Sequence, residues 1–230
     1  SYGIKKEFTA HKFRDFLHAY LRSHSLDHKL FKNVIIASVV PSLDSLLREY
    51  CKNSIGTEPL FIDHRLKTGL QLKIPNPRDL GADRIATAVG SVVQFPDQDL
   101  IIVDLGTATT VCVVTKFKEY IGGSILPGIN LCMKSLSQGA EKLSTVDVIP
   151  IHKALNVTTK SQIQAGLFWG HVGALREIIT RVKKEANMSG ALCIATGGSA
   201  RIFEGTKIFD YVDQHITLRG LRKILEQNIA

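Results

Sequence analysis

Long apolar runs are missing from this chain: nothing in its 230 residues approaches the roughly 20 consecutive apolar positions that a membrane-crossing helix needs. No charged, apolar, small-residue leader opens it either, so a cytoplasmic location without membrane contact is the expectation. Cysteine is scarce. Cys51, Cys112, Cys132 and Cys193 are widely scattered with no C-x-x-C pair, which argues against a zinc site and against a disulfide scaffold. They read as reduced, mostly buried thiols. A concentrated basic stripe is absent too. The formal charge is +8, yet Lys and Arg are spread over the whole chain, with short clusters only at Lys5-Lys6, Lys183-Lys184 and Arg222-Lys223. None is interleaved with aromatics, and neither a helix-turn-helix pattern nor an RRM signature occurs. Nucleic acid is therefore not the expected partner; the charge fits solvated helix faces or a cleft that attracts an anionic cofactor.

What is present is a chain rich enough in apolar residues, 44% of the total, to bury a large core. Short β-branched runs alternate with amphipathic segments, the mark of an α/β protein. A strand in "SYGIKKEF" precedes a helix over residues 9–23, where Phe13, Phe16, Leu17, Tyr20 and Leu21 fall at helical spacing. "NVIIASVV", residues 33–40, is too short and too β-branched for a helix and reads as a buried strand. Pro41 and Ser42 start the next helix, with Ser42 as its N-cap. "PLFI" at 59–62 is a strand and residues 81–94 a helix. Strands follow at 99–106, 110–116 and from "EYIGGSI" onward, then helices at 130–138 and 159–184, a buried strand at 191–196 and short elements at 218–228.

The two halves, residues 1–98 and 99–230, look like versions of one plan in which helix, strand, helix and strand recur. The second opens with a three-strand meander, and the first does not. If the plan is duplicated, a two-strand hairpin belongs upstream of Ser1.

The stretch "VDLGTATTVCVV", residues 103–114, sets a carboxylate, a glycine and three hydroxyls between two apolar runs. A turn of this composition offers backbone N–H groups and hydroxyls to phosphate oxygens. Gly106 lets a ligand approach the backbone, and Thr107, Thr109 and Thr110 can donate. Asp104 would repel a polyphosphate unless a cation lay between them. The alternative is an ordinary hairpin whose Asp and Thr residues satisfy its own backbone.

Four further stretches bear on the choice. "NPRDLGADR", residues 76–84, ends with Asp83, able to take a proton from a hydroxyl, and Arg84, able to grip a carboxylate in bidentate fashion. A helix cap with a surface ion pair is the other reading. "GGSILPG", residues 122–128, puts glycines and a proline where backbone must come close to something. "TTKSQIQAG", residues 158–166, opens a long helix with hydroxyls, as a ligand contact or a simple cap would. "ATGGSA", residues 195–200, ends a buried strand in paired glycines, where an open α/β sheet accepts a nucleotide.

In this order and spacing, "GADR", "DLGTATT", "GGSILPG", "TTKSQIQAG" and "ATGGSA" closely resemble the type III pantothenate kinases, bacterial enzymes of the actin, Hsp70 and sugar-kinase superfamily. The resemblance runs from about "VIIASVVP" to the C-terminus. It implies an α/β, duplicated ribonuclease-H-like fold with mixed sheets and ATP held between the halves. It also implies phosphorylation of pantothenate to 4′-phosphopantothenate at the start of coenzyme A biosynthesis, a homodimer, Mg²⁺ with the ATP, and a monovalent cation, K⁺ or NH₄⁺. Asp83 is then the general base, and Gly81, Ala82 and Arg84 line the substrate pocket, with Arg84 on the pantothenate carboxylate. Asp104 corresponds to the monovalent-cation ligand, and Gly106 and Thr107 to contacts with the ATP phosphates. Thr159 corresponds to a substrate-binding threonine that this family can present across the dimer interface, and Gly197 and Gly198 lie near the adenosine.

Two departures stand out. Nothing corresponds to the D-x-G-N-T phosphate loop that usually precedes the family's first helix, in line with the hairpin expected upstream. Ile74 occupies the place, seven residues before the "GADR" glycine, where relatives commonly carry a substrate-contacting tyrosine. The competing functions are a catalytically silent regulator binding nucleic acid or a transcription complex, and a kinase of the same superfamily for another small alcohol.

Overall fold

The computed structural model describes residues 10–27, 30–140 and 142–229. The strand expected in "SYGIKKEF" and the Lys5-Lys6 pair lie outside the described residues. Helix α1 (Ala10–Ser23) buries Leu21 and sets Phe13 edge-on against Tyr50, the ring centroids 5.5 Å apart. A two-stranded parallel sheet follows, β1 (Ile35–Ile36) with β2 (Leu60–Phe61). Between them lie α2 (Asp44–Tyr50) and a π-turn, Cys51–Ile55, ended by Gly56 at φ +79°.

Two expectations are corrected here. The strand at 33–40 contracts to the two residues that find a partner, both half-buried because so small a sheet covers little. Ser42 is not an N-cap: the chain enters α2 through a 3₁₀ turn, Pro41–Leu43, with no side-chain cap, and it is Ser38 that bonds the Asp44 carboxylate.

The main sheet has six strands in the order β3 (Gln71–Leu72), β6 (Glu119–Pro127), β5 (Ala108–Val114), β4 (Leu100–Leu105), β7 (Leu192–Thr196), β8 (Tyr211–Val212). Strands β4, β5 and β6 form the expected antiparallel meander; β7 runs parallel to β4, β8 to β7 and β3 to β6. The pairing between β4 and its neighbours places Asp104 opposite Thr110 on one side and Thr196 on the other.

Alternate side chains of a strand point to opposite faces, and both faces of this sheet are covered. Ile101, Val103, Leu105, Val111 and Val113 pack against Ile129 of α4 (Ile129–Gly139), against Phe168, Val172, Leu175 and Ile179 of α5 (Thr159–Glu185) and against Phe203. On the other face Leu100, Ile102, Cys112, Val114 and Tyr120 meet Ile85 and Val89 of α3 (Ala82–Gln94) and Ile216 and Ile224 of α6 (Ile216–Asn228). Coverage on both sides is why these strands read as continuous apolar runs rather than alternating ones. Helices α3 and α6 touch backbone to backbone: a Cβ on Gly90 would lie 1.9 Å from the Ile216 carbonyl oxygen, and one on Gly220 1.8 Å from that of Ala86. Thr87 and Thr217 share a 2.8 Å hydrogen bond at the same crossing. This contact fixes α3 on the sheet, and with it the carboxylate at the helix start.

Candidate active site

Asp83 sits in the first turn of α3, whose N-cap is Gly81. One carboxylate oxygen, Oδ1, accepts the backbone N–H of Arg84 at 2.8 Å; among the described residues nothing donates to the other. A Cβ on Gly81, the cap residue, would stand 2.5 Å from Asp83 Oδ1, so a side chain there would displace the carboxylate. Ala82 turns its side chain into the core, which leaves only backbone to face a ligand.

Asp104 ends β4 on the face that α3 covers, and among the described residues neither of its oxygens accepts a hydrogen bond. Its acidity is weakened, with the pKa raised to about 6, first by burial and second by the negative charge of Asp83. The two carboxylates thus lie on the same side of the sheet, near enough for the charge of one to act on the other. This arrangement excludes the ordinary-hairpin reading, in which Asp104 would bond its own turn; the turn is closed by Gly106 N–H donating to the Ala108 carbonyl at 3.1 Å instead.

Around Asp104 the backbone comes unusually close. Gly197 has φ +91°, and a Cβ on it would meet Asp104 Oδ1 at 2.3 Å and the Leu105 backbone at 2.7 Å. Ser199 N–H donates to the Leu105 carbonyl at 3.0 Å, tying the Gly197-Gly198 turn to the end of β4. Gly128 does the same for the Gly106-Thr107 turn: it donates to the Thr107 carbonyl at 3.0 Å, and a Cβ on it would lie 2.3 Å from the Gly106 oxygen. Two of the glycines of "GGSILPG" thus meet neighbouring backbone, Gly128 at this turn and Gly123, at φ +153°, against the Val111 carbonyl, whereas a Cβ on Gly122 would meet nothing within 4 Å. Thr107 is exposed at the turn tip, whereas Thr109 faces the α5 side, buried and, among the described residues, with no partner for its hydroxyl.

Arg84 is held differently from the surface ion pair of the helix-cap reading. Its guanidinium makes no ion pair with Asp83; Nη2 donates to the Tyr120 hydroxyl at 2.6 Å and Nε to the Cys112 sulfur at 3.4 Å. Neither partner was legible as a site residue, because both belong to apolar runs and their contacts cross from β5 and β6 to α3. Thr159 stands in the other layer, exposed at the start of α5. Its neighbour Thr158 forms a capping box with Ser161, accepting from the Ser161 N–H at 3.2 Å. Ile74, at the place of the absent tyrosine, packs on the core around Ile85 and Tyr120.

The donor set suits a hard cation, with a carboxylate free of hydrogen bonds and, by strand register, the hydroxyls of Thr110 and Thr196 beside it. Among the described residues, no three His, Cys, Asp or Glu side chains gather into a cage for a metal ion.

Comparison with known structures fits the architecture. A Baf family protein of Campylobacter jejuni described as a transcriptional activator superposes with a TM-score of 0.58, at 23% identity over 91% of this chain and 87% of that one. The ethanolamine utilization protein EutJ of Carboxydothermus hydrogenoformans gives 0.53, at 15% identity over 95% of this chain and 73% of that one. At such identities the likeness establishes the fold alone. The class that the fold defines is a mixed α/β protein with helices on both faces of the sheet, an acid near the end of β4 and glycine turns beside it. Sequence carries the assignment further. "Type III pantothenate kinase 1" of Francisella tularensis subsp. holarctica is 45% identical over 214 residues, covering 93% of this chain and 84% of the relative. The Legionella pneumophila type III pantothenate kinase is 37% identical over 216 residues, 94% of this chain and 84% of its own length. The profile of that family spans residues 2–181, and the chain belongs to the type III pantothenate kinases. It is a kinase that phosphorylates pantothenate in coenzyme A biosynthesis, with ATP as the second substrate and a divalent cation implied by the chemistry.

Proposed function

We propose that Asp83 is the general base of this reaction. Its free carboxylate oxygen takes the proton of the pantothenate primary hydroxyl as that oxygen attacks the γ-phosphorus of ATP. One P–O bond forms, the bridging bond to the β-phosphate breaks, and ADP leaves with the electron pair. An ionised aspartate is a weak base in bulk water, but it accepts the proton late, when the new P–O bond has made the hydroxyl acidic; such a group contributes roughly 10²–10⁴-fold. Gly81 and Ala82 supply backbone to the substrate pocket, and Arg84 binds the pantothenate carboxylate. Gly106 and Thr107 contact the phosphates, and Gly197 and Gly198 lie beside the adenosine, with the nucleotide between the halves 1–98 and 99–230.

Asp104 is the carboxylate that would hold a monovalent cation, K⁺ or NH₄⁺, alongside the Mg²⁺ that accompanies ATP. Positive charge there offsets the repulsion between two acids and a polyphosphate. Thr159 belongs to the layer opposite Asp83, which supports its serving the substrate pocket of a second subunit in a cytoplasmic homodimer.

The observation that carries this reading is the Asp104 carboxylate, which accepts no hydrogen bond among the described residues and stands on the face of the sheet covered by α3, the helix that carries Asp83 in its first turn. The test is ATP consumption with and without pantothenate, in potassium and again in sodium buffer. Pantothenate-dependent turnover favoured by potassium supports both the base and the cation site. Turnover indifferent to the ion removes the cation role from Asp104.

A further inference from the structure

Arg84, Tyr120 and Cys112 form a closed ring of polar contacts in an otherwise apolar layer. Arg84 Nη2 donates to the Tyr120 hydroxyl at 2.6 Å, Nε to the Cys112 sulfur at 3.4 Å, and the Tyr120 hydroxyl donates to the same sulfur at 3.3 Å. The sulfur in turn lies 4.0 Å from the Thr110 hydroxyl, whose residue faces Asp104 across the strand pair. Tyr120 is fully buried and Cys112 nearly so, and neither has a part in the chemistry described above.

A guanidinium has five N–H donors in a fixed plane. The acceptors of Nε and Nη2 touch one another, so they lie side by side along one edge of that plane. Nε and one Nη2 hydrogen are used there. The two hydrogens of Nη1 and the second of Nη2 remain, and the Nη1–Nη2 edge is itself a bidentate fork that matches a carboxylate.

We propose that Tyr120 and Cys112 are positioning residues for substrate recognition: they clamp the Nε–Nη2 edge of Arg84 so that its Nη1–Nη2 edge is presented to the pantothenate carboxylate. This rests on the reading of Arg84 as the carboxylate ligand. Burial and the neighbouring thiol push the Tyr120 hydroxyl far above its usual acidity range, so it remains a neutral phenol and the clamp holds through ordinary alkaline pH. The arrangement also explains a tyrosine hydroxyl in the core, where an unpartnered one would be costly. Without the clamp the half-buried guanidinium regains rotamer freedom, which must be lost again when substrate binds.

The experiment compares pantothenate with its primary amide, which keeps the reacting hydroxyl and lacks the charge, in the full chain and in the variants Arg84→Lys, Tyr120→Phe, Cys112→Ala and Cys112→Ser. Tyr120→Phe should raise KM for pantothenate about tenfold, the scale of one charge-assisted hydrogen bond, while kcat and the KM for the amide stay within about twofold. Cys112→Ala should do the same more weakly, and Cys112→Ser, which keeps an acceptor, should restore the preference. In an Arg84→Lys background Tyr120→Phe should add nothing. If Arg84→Lys abolishes the preference for the acid but Tyr120→Phe and Cys112→Ala leave it intact, the clamp is refuted and the Arg84 reading stands. If Arg84→Lys changes acid and amide alike, the Arg84 reading fails and the clamp with it. Should Tyr120→Phe not fold, Cys112→Ala carries the same comparison.

Discussion

Replacing Asp104 by Asn should make the ligand-free protein more stable while crippling it as an enzyme. The acid ionises near pH 6 in the folded protein against 3.8 when unperturbed. A raised carboxylate pKa means that folding favours the protonated form. Asp104 therefore does no harm below about pH 4, and the cost of its charge builds between about pH 4 and pH 6 and is complete above that. A shift of about two pKa units corresponds to about 3 kcal/mol above pH 7. Asparagine has nearly the same shape and never ionises, so Asp104→Asn should match the wild type near pH 4 and exceed it by about 2–3 kcal/mol at pH 8. In a chain of this size that is a rise in Tm of roughly 4–12 °C. The assay is thermal unfolding of both proteins from pH 4 to 8, in a buffer whose only cation is too bulky to enter the site. Because burial leads and Asp83 comes second among the causes, Asp83→Asn should recover a smaller part of the same gain. A Tm difference that does not change with pH, or that favours the wild type at pH 8, would refute the reasoning.

Two further substitutions probe the frame around the site. Thr158→Ala removes the capping box of α5 and should cost about 1 kcal/mol, a Tm decrease of roughly 2–4 °C; an unchanged Tm would mean that the cap adds nothing to the tertiary packing. Gly128→Ala would force a methyl to within 2.3 Å of the Gly106 carbonyl oxygen and 2.4 Å of that of Thr107. The turn must move, so KM for ATP should rise at least severalfold with a stability loss of about 1–3 kcal/mol. Wild-type ATP kinetics in that variant would show that the turn does not touch the nucleotide.

The sequence foretold the meander and the long helices well, and the reason is local. Residues 100–114 are apolar on both faces, and α5 announces itself with an N-terminal Thr-x-x-Ser box and a long periodic stripe. Elements whose existence depends on a distant partner were not legible. Strand β3 is two residues long and exists only because Lys118 and Tyr120 offer it carbonyls, and β1 shrinks to what β2 can pair. At the candidate site, motifs singled out Asp83 and Asp104, but their lying on one side of the sheet depends on α3 packing against α6 and the strands, through glycines at positions 90 and 220 that carry no motif. Tyr120 and Cys112 were hidden for the opposite reason: in a strand, an aromatic and a thiol look like core, and only the arginine reaching them from another element reveals a polar ring.

The central claim is that Asp83 removes the proton in the transfer step, and one pair of numbers tests it most directly: kcat with saturating pantothenate and the ATP dissociation constant, each measured for the wild type and for Asp83→Asn. The account predicts a fall in kcat of roughly 10²–10⁴-fold with ATP affinity within about twofold. Loss of ATP affinity in the same proportion as kcat, or turnover that survives the substitution, would contradict it.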